Sequence, residues 1–125
     1  MARWLFKIEP SCYSFEDLQR DGSTCWDGVK NALALKHLRQ VKPGDRIFLY
    51  YTGKTKAIVG EMKAKAVKDG DVTVAPVKLF KQPVPLGDLK ADKTLASWEL
   101  VRFSRLSVMP VSEEIWKKIE AMAGG

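Results

Sequence analysis

The sequence predicts an α+β domain: a curved, mainly antiparallel sheet or small barrel with helices packed outside. Three observations predict it. The stretch Arg46 to Thr52 (Arg-Ile-Phe-Leu-Tyr-Tyr-Thr) has almost no polar alternation, as in a central strand covered on both faces. The strand patterns after it follow one another at hairpin spacing, which favours antiparallel pairing. Helical spacing is confined to the segments before and after these strands, so regular strand-helix alternation is absent. There are too few strands for a closed eight-stranded barrel.

Taken in order, Arg3 to Ile8 is a first strand, with Trp4, Phe6 and Ile8 on one face and Leu5, Lys7 and Glu9 on the other. Pro10 stops it. Ser14-Phe15-Glu16-Asp17 is close to a capping box, so a short helix runs through Arg20 to Asp21-Gly22-Ser23. Trp26-Asp27-Gly28-Val29 reads as a turn. From Asn31, Leu35, Leu38 and Val41 follow helix spacing until Lys42-Pro43-Gly44-Asp45 ends the element. After the central strand, Gly53 to Lys56 is a loop without the context of a phosphate loop. Ala57 to Val67 is a second long strand, bulged or bent at Gly60, with Glu61, Lys63 and Lys65 outward. Asp69-Gly70-Asp71 signals a hairpin into a strand from Val72 to Phe80, and Pro76 places that strand at an edge or bulge. Gly87 to Trp98 holds one or two short helical turns. Arg102 to Pro110 contains a last strand. Ser112 caps a final helix whose apolar stripe is Ile115, Ile119 and Met122.

At 125 residues the chain makes one domain and buries roughly two thirds of its unfolded surface without needing a metal or disulfide. No apolar run approaches the roughly 18 residues of a membrane span, and a charge interrupts the N-terminus before a signal core forms. The expected location is the cytoplasm, nucleoid association included. Cys12 and Cys25 are expected as free thiols. With His37 as the only histidine and no CxxC pair, no metal site is expected. Net charge is +6 and is concentrated: nine basic residues against two acids give the Lys36–Lys68 segment +7, leaving −1 elsewhere. Such a segment attracts polyanions, above all nucleic acid, although a solvated lysine-rich surface has the same composition.

The stretch around Trp26 and Asn31 differs from both a core element and a surface helix. It mixes aromatic, hydroxyl and amide groups with a turn glycine. A Trp held by a turn offers a flat face for stacking, and an Asn offers a donor and an acceptor. Together they suit the grip on one flat heterocycle. The plainer alternative makes Trp26 core and Asn31 a helix cap. Ser14 is first a cap and only second a ligand group. Of Tyr50 and Tyr51, which point to opposite faces, one belongs to the core and the other can meet a ligand. Trp4, Trp98 and Trp116 are assigned to packing.

Four ordered pieces then stand together: Trp4-Leu5-Phe6-Lys7-Ile8-Glu9-Pro10 with Tyr13-Ser14; Trp26-Asp27-Gly28-Val29-Lys30-Asn31; Lys42-Pro43-Gly44-Asp45 leading to Tyr50-Tyr51; and Ser104-Arg105-Leu106-Ser107-Val108-Met109-Pro110-Val111 with Trp116. In this order they resemble the EVE domain family, from about Arg3 to Ala123. The resemblance implies a PUA-like pseudobarrel related in architecture to YTH domains. It also implies a non-catalytic reader of modified bases, chiefly 5-substituted cytosines in DNA. By that likeness Trp26 is a wall of the base pocket, lined by Asn31 and Ser14; Tyr13, Lys7, Tyr50 and Tyr51 complete the expected pocket. Lys54, Lys56, Arg102 and Arg105 are the expected phosphate contacts. The sequence departs from the family at Thr52-Gly53, where many relatives have His-Ser, and in the short Lys68–Asp71 turn.

The expected partner is DNA with a modified cytosine, or RNA, bound by a monomer with no cofactor, metal or membrane. The competing readings are an RNA-binding accessory module without modified-base selectivity and a nucleobase enzyme. The enzyme would have to rest on Glu9, Asp27, Ser14 or His37, and the zinc-deaminase signature is absent.

Overall fold

The computed structural model describes residues 2–26, 31–68, 71–95, 98–102 and 106–124. Six strands form one curled, mixed sheet, a half-barrel. They are β1 (Arg3–Ile8), β2 (Thr24–Trp26), β3 (Arg46–Tyr51), β4 (Ala57–Lys68), β5 (Asp71–Pro85) and β6 (Val108–Pro110). Around it lie α1 (Phe15–Asp21), α2 (Ala32–Leu38), α3 (Leu86–Ala91), α4 (Glu99–Arg102) and α5 (Glu113–Met122), with a 3-10 turn at Lys93–Leu95. The spatial order is β2-β5-β4-β3-β1-β6. Every neighbouring pair is antiparallel except β1 and β3, which run parallel. A parallel pair needs a long crossover, and here α1, β2 and α2 supply it. The parallel pair puts the carboxyl ends of β1 and β3 side by side, Lys7 opposite Tyr50 and Ile8 opposite Tyr51.

Both faces of this centre are buried. Trp4, Leu5 and Phe6 are all buried, as are Ile47, Phe48 and Leu49. On one face Phe6 meets Trp26, ring centroids 5.2 Å apart. On the other, α5 lays Trp116 flat on Phe48 at 3.6 Å and 9°. The helix ends follow local rules. Ser14 and Asp17 complete a reciprocal capping box, Gly22 closes α1 at φ 79°, and Ser112 Oγ accepts from the Ile115 amide.

Long β4 and β5 curl because their register shifts between Ile58 and Gly60, Glu61 and Met62, and Ala64 and Ala66. Gly60 sits at the first of these, as its sequence context predicts. A β-carbon there would stand 2.8 Å from the Lys78 carbonyl oxygen and 3.1 Å from the Phe15 ring. Gly60→Ala is therefore expected to destabilise the fold by about 1–3 kcal/mol through overpacking, measured by urea denaturation. A cost below about 0.5 kcal/mol would show that the bulge relaxes freely.

Three sequence expectations are corrected. Glu61 does not point outward with Lys63 and Lys65. It is 3% exposed and accepts from Arg46 Nε and Nη2 at 2.8 and 3.0 Å. Alternation alone could not show that α5 covers this height of the sheet, nor that Arg46 supplies the opposite charge. Trp26 does not begin a turn; it ends β2, an edge strand paired with Val72–Val74. The turn expected at residues 27–30 lies outside the described residues. Finally, β5 continues through Pro85 rather than stopping at Phe80. Prolines are tolerated there because β2 pairs only with its first half, leaving the rest an edge.

Candidate nucleic-acid interface

The carboxyl ends of β1 and β3 open a cleft of about 280 Å³. β1 and β3 supply Lys7 and Tyr50, the loop after β3 supplies Thr52, Gly53 and Lys56, α3 supplies Leu86 and Lys90, and α4 supplies Leu100 and Val101. Chains diverge where neighbouring parallel strands end, which is why ligand crevices form at such ends. The volume is near the lower limit of ordinary ligand sites, a size for one small planar group. The described lining carries three lysines and no carboxylate. Lys7 Nζ lies 5.5 Å from the Tyr50 ring centroid. Burial lowers the pKa of Lys7 below 10.5, and burial raises that of Tyr50 above 10.0. Just behind this lining, Glu9 is held close to Gly53. A β-carbon on Gly53, whose φ is +75°, would come within 2.5 Å of Glu9 Oε2. Glycine at 53 thus lets a carboxylate approach the mouth of a basic cleft.

A second, smaller cleft of about 150 Å³ is lined by Ile8, Tyr13, Thr24, Cys25 and Trp26. It lies on the opposite face of β1, because Ile8 follows Lys7 along a strand whose side chains alternate. Trp26 is 6% exposed, its ring tilted 41° against Phe6. It contributes an edge to the cleft and most of its surface to the core.

The expected single pocket is therefore two. Lys7 and Tyr50 come together in one cleft, Tyr13 and Trp26 in the other. The remaining expected pocket residues serve the backbone. Ser14 Oγ accepts from the Asp17 amide at 3.2 Å. Asn31 Oδ1 caps α2, accepting from the Leu33 and Ala34 amides at 3.0 Å each. The Tyr51 hydroxyl accepts from the Phe15 amide at 2.7 Å and so ties α1 to the end of β3. Tyr13 donates its hydroxyl proton to Asp21 Oδ2 at 2.8 Å. Of the expected phosphate contacts, Lys56 lines the larger cleft, Lys54 is exposed beside it, and Arg102 is exposed at the end of α4. Arg105 lies outside the described residues.

Sequence reasoning missed Leu86, Lys90, Leu100 and Val101. Their segment carries only short helical turns, and nothing local says that β5 delivers it over the β1–β3 ends. Thr52 and Gly53, where the sequence departs from the family, both line the larger of these two clefts. Among the described residues, no three His, Cys, Asp or Glu side chains gather as a metal site. No described helix is long and apolar enough to cross a membrane.

Comparison with known proteins agrees with this architecture. Human thymocyte nuclear protein 1 is 31% identical over 90% of this chain and 70% of its own length. A solved structure from Rhodopseudomonas palustris superposes with a TM-score of 0.92 at 35% identity, covering 99% of this chain and 94% of that one. Human THYN1 in complex with 5-methylcytosine-containing DNA superposes with a TM-score of 0.90 at 26% identity, covering 100% of this chain and 99% of that one. The EVE domain family matches residues 2–122, so nearly the whole chain is accounted for and the chain belongs to that family.

Proposed function

We propose that this chain is a non-catalytic nucleic-acid-binding module that reads a 5-substituted cytosine in DNA. The observation that carries the reading is the cleft at the β1–β3 ends, where three lysines surround one aromatic and several aliphatic side chains. The DNA complex of the related human protein supports cytosine as the base. A base that is unpaired or flipped out enters this cleft. Lys7 donates to an acceptor on its polar edge. Tyr50 lies beneath it, and Leu86, Leu100 and Val101 surround the 5-substituent. On the other face of β1, Tyr13 and the exposed edge of Trp26 offer a smaller aromatic contact to a neighbouring base. Ser14, Asn31 and Tyr51 hold the helices that frame it. Lys54, Lys56, Arg102 and Arg105 contact phosphates. Flipping costs a few kcal/mol, so backbone contacts must offset it.

Fluorescence anisotropy with matched DNA and RNA carrying one unmodified, 5-methylated or 5-hydroxymethylated cytosine tests this at two salt concentrations. Burying one methyl is worth about 0.8 kcal/mol, so a preference of about fourfold for methylated DNA is expected. Lys7→Met should weaken binding by about ten- to a hundredfold, the worth of a hydrogen bond from a charged donor. The pH profile follows in sign. Burial disfavours charged Lys7, so its cost to the fold is complete below its lowered pKa and disappears as pH rises toward 10.5. An acceptor bound against Lys7 needs the proton, so affinity falls as pH rises through that lowered pKa. Lys7→Met should abolish this fall while leaving the melting temperature unchanged or slightly raised. Wild-type affinity in Lys7→Met would sink the cleft as the base site. Equal binding of every oligonucleotide, lost steeply with salt, would favour the RNA-binding module without base selectivity.

A further inference from the structure

The nine basic residues between Lys36 and Lys68 do not share one role. The Arg46 guanidinium is already engaged within the protein: it pairs with Glu61 at 2.8 Å and Glu120 at 3.4 Å and lies 4.8 Å from the Trp116 ring centroid. Lys56 belongs to the cleft. At the opposite end of the parallel pair, Lys42, Lys63 and Lys65 each lie within two residues of a backbone junction between the β3 entry and β4. The turn after Lys42 is stitched to β4 there. The Gly44 amide donates to the Ala64 carbonyl at 2.8 Å, and the Ala64 amide donates to the Asp45 carbonyl at 2.9 Å. Ala64 is buried, whereas Lys42, Lys63 and Lys65 around it are exposed. None of the three takes part in an ion pair among the described residues.

A second feature adjoins them. Lys42 also lines a broad groove of about 730 Å³ with Arg3, Gln40 and Glu113, over the buried Asp45. Arg3 Nε in that lining is buried and has no hydrogen-bond partner among the described residues. Arg3, Arg46 and Lys63 are also register neighbours in one row across β1, β3 and β4. Within the groove Arg3 and Lys42 are balanced by Asp45 and Glu113, so the excess positive charge at this end comes from the exposed Lys63 and Lys65 on β4.

We propose that Lys42, Lys63 and Lys65, with the Arg3 groove, hold the phosphates of the DNA strand flanking the base in the cleft. This rests on the nucleic-acid reading above and adds a second contact surface to it. Arg3 and Lys7 are four residues apart on β1, about 13 Å at strand rise. One DNA strand advances about 3.4 Å per nucleotide. The patch therefore meets phosphates about four nucleotides from the base being read, and the module's footprint extends to one side of it.

The test compares wild type with Lys42→Ala/Lys63→Ala/Lys65→Ala on a duplex carrying one central 5-methylcytosine, by anisotropy across several salt concentrations. The substituted side chains are exposed, and circular dichroism confirms that the variant folds. Each phosphate contact contributes about 0.9 to the slope of log affinity against log salt, so the slope should fall by about 2.7. The preference for methylated over unmodified duplex should stay unchanged. A fall in slope of two or more supports the surface, and a smaller one overturns it. A second arm uses duplexes with the modified base two pairs from one end or from the other. For one of these placements wild type should bind as weakly as the variant; if both placements bind wild type fully, the flanking surface is wrong. If wild type binds no duplex at all, the nucleic-acid reading falls and the surface with it. If it binds without preference for methylation, only the selectivity falls and the slope still decides the surface.

Discussion

Trp116→Ala is expected to remove about 3–5 kcal/mol of stability, the range for truncating a fully buried large aromatic. Trp116 is 1% exposed, stacks on Phe48 at 3.6 Å, and has the Arg46 guanidinium 4.8 Å from its ring centroid. One truncation thus opens a cavity under α5, ends an aromatic pair, and uncovers the Arg46–Glu61 ion pair. Against a typical total of about 5–15 kcal/mol, the loss removes a large share of the stability and should lower the melting temperature markedly. Trp116→Phe separates the terms. It keeps the stack and removes an indole N–H that is buried without a partner among the described residues. The smaller ring still leaves part of the cavity, so the cost of this substitution should be intermediate, clearly below that of Trp116→Ala. Urea denaturation of the pair decides the matter. A cost under 1.5 kcal/mol for Trp116→Ala would mean that the helix collapses into the space and that Phe48, not the stack, organises this face.

Asp45→Ala should have an effect of similar order, about 2–5 kcal/mol, because each buried donor left unsatisfied costs about 1–3 kcal/mol. The Asp45 carboxylate is 4% exposed. It accepts from Trp4 Nε1 at 3.0 Å, the Lys42 amide at 2.9 Å and the Ala2 amide at 3.2 Å. Alanine would leave three donors without their acceptor, one of them a buried indole, and an unmade bond costs more than a made one contributes. Asp45→Asn keeps a single acceptor oxygen and turns an amide N–H toward donors, so it should cost an intermediate amount. Chemical denaturation measures the loss. Hydrogen exchange of the Trp4 indole proton locates it, because protection there should disappear while that of the Trp98 indole, bonded to the Pro110 carbonyl at 3.2 Å, persists. Unchanged Trp4 protection would show that water replaces the carboxylate readily.

Local chemistry was legible where it is self-contained. The Ser14 box, the Ser112 cap, the Gly60 bulge and the buried run of β3 all follow from residues within a few positions of one another. The family motifs were legible for a related reason: four short pieces in a fixed order identify a fold even when no piece reveals its geometry. Asn31 shows the limit of such reading. Its amide suits a base edge and a helix end equally well, and only the position of the Leu33 and Ala34 amides shows its oxygen committed to the cap.

By itself, then, the sequence determined the class of fold, most element positions, the family and the concentration of positive charge. Only the tertiary structure decided how those parts meet. Parallel pairing of β1 with β3 arises from a crossover, and no local pattern encodes it. That pairing sets Lys7 beside Tyr50, brings α3 and α4 over them, and leaves Trp26 on the other side of the same strand. It also decides which charges are available. Arg46 and Glu61 look like surface residues in the chain, yet Glu61 is buried against a half-buried Arg46 that also reaches Glu120 of α5, whereas Lys42, Lys63 and Lys65 stay exposed around the Gly44–Ala64 junction. The physical reason is the same throughout: periodicity reports which side of an element a residue takes, while burial and pairing depend on what distant element is packed against that side.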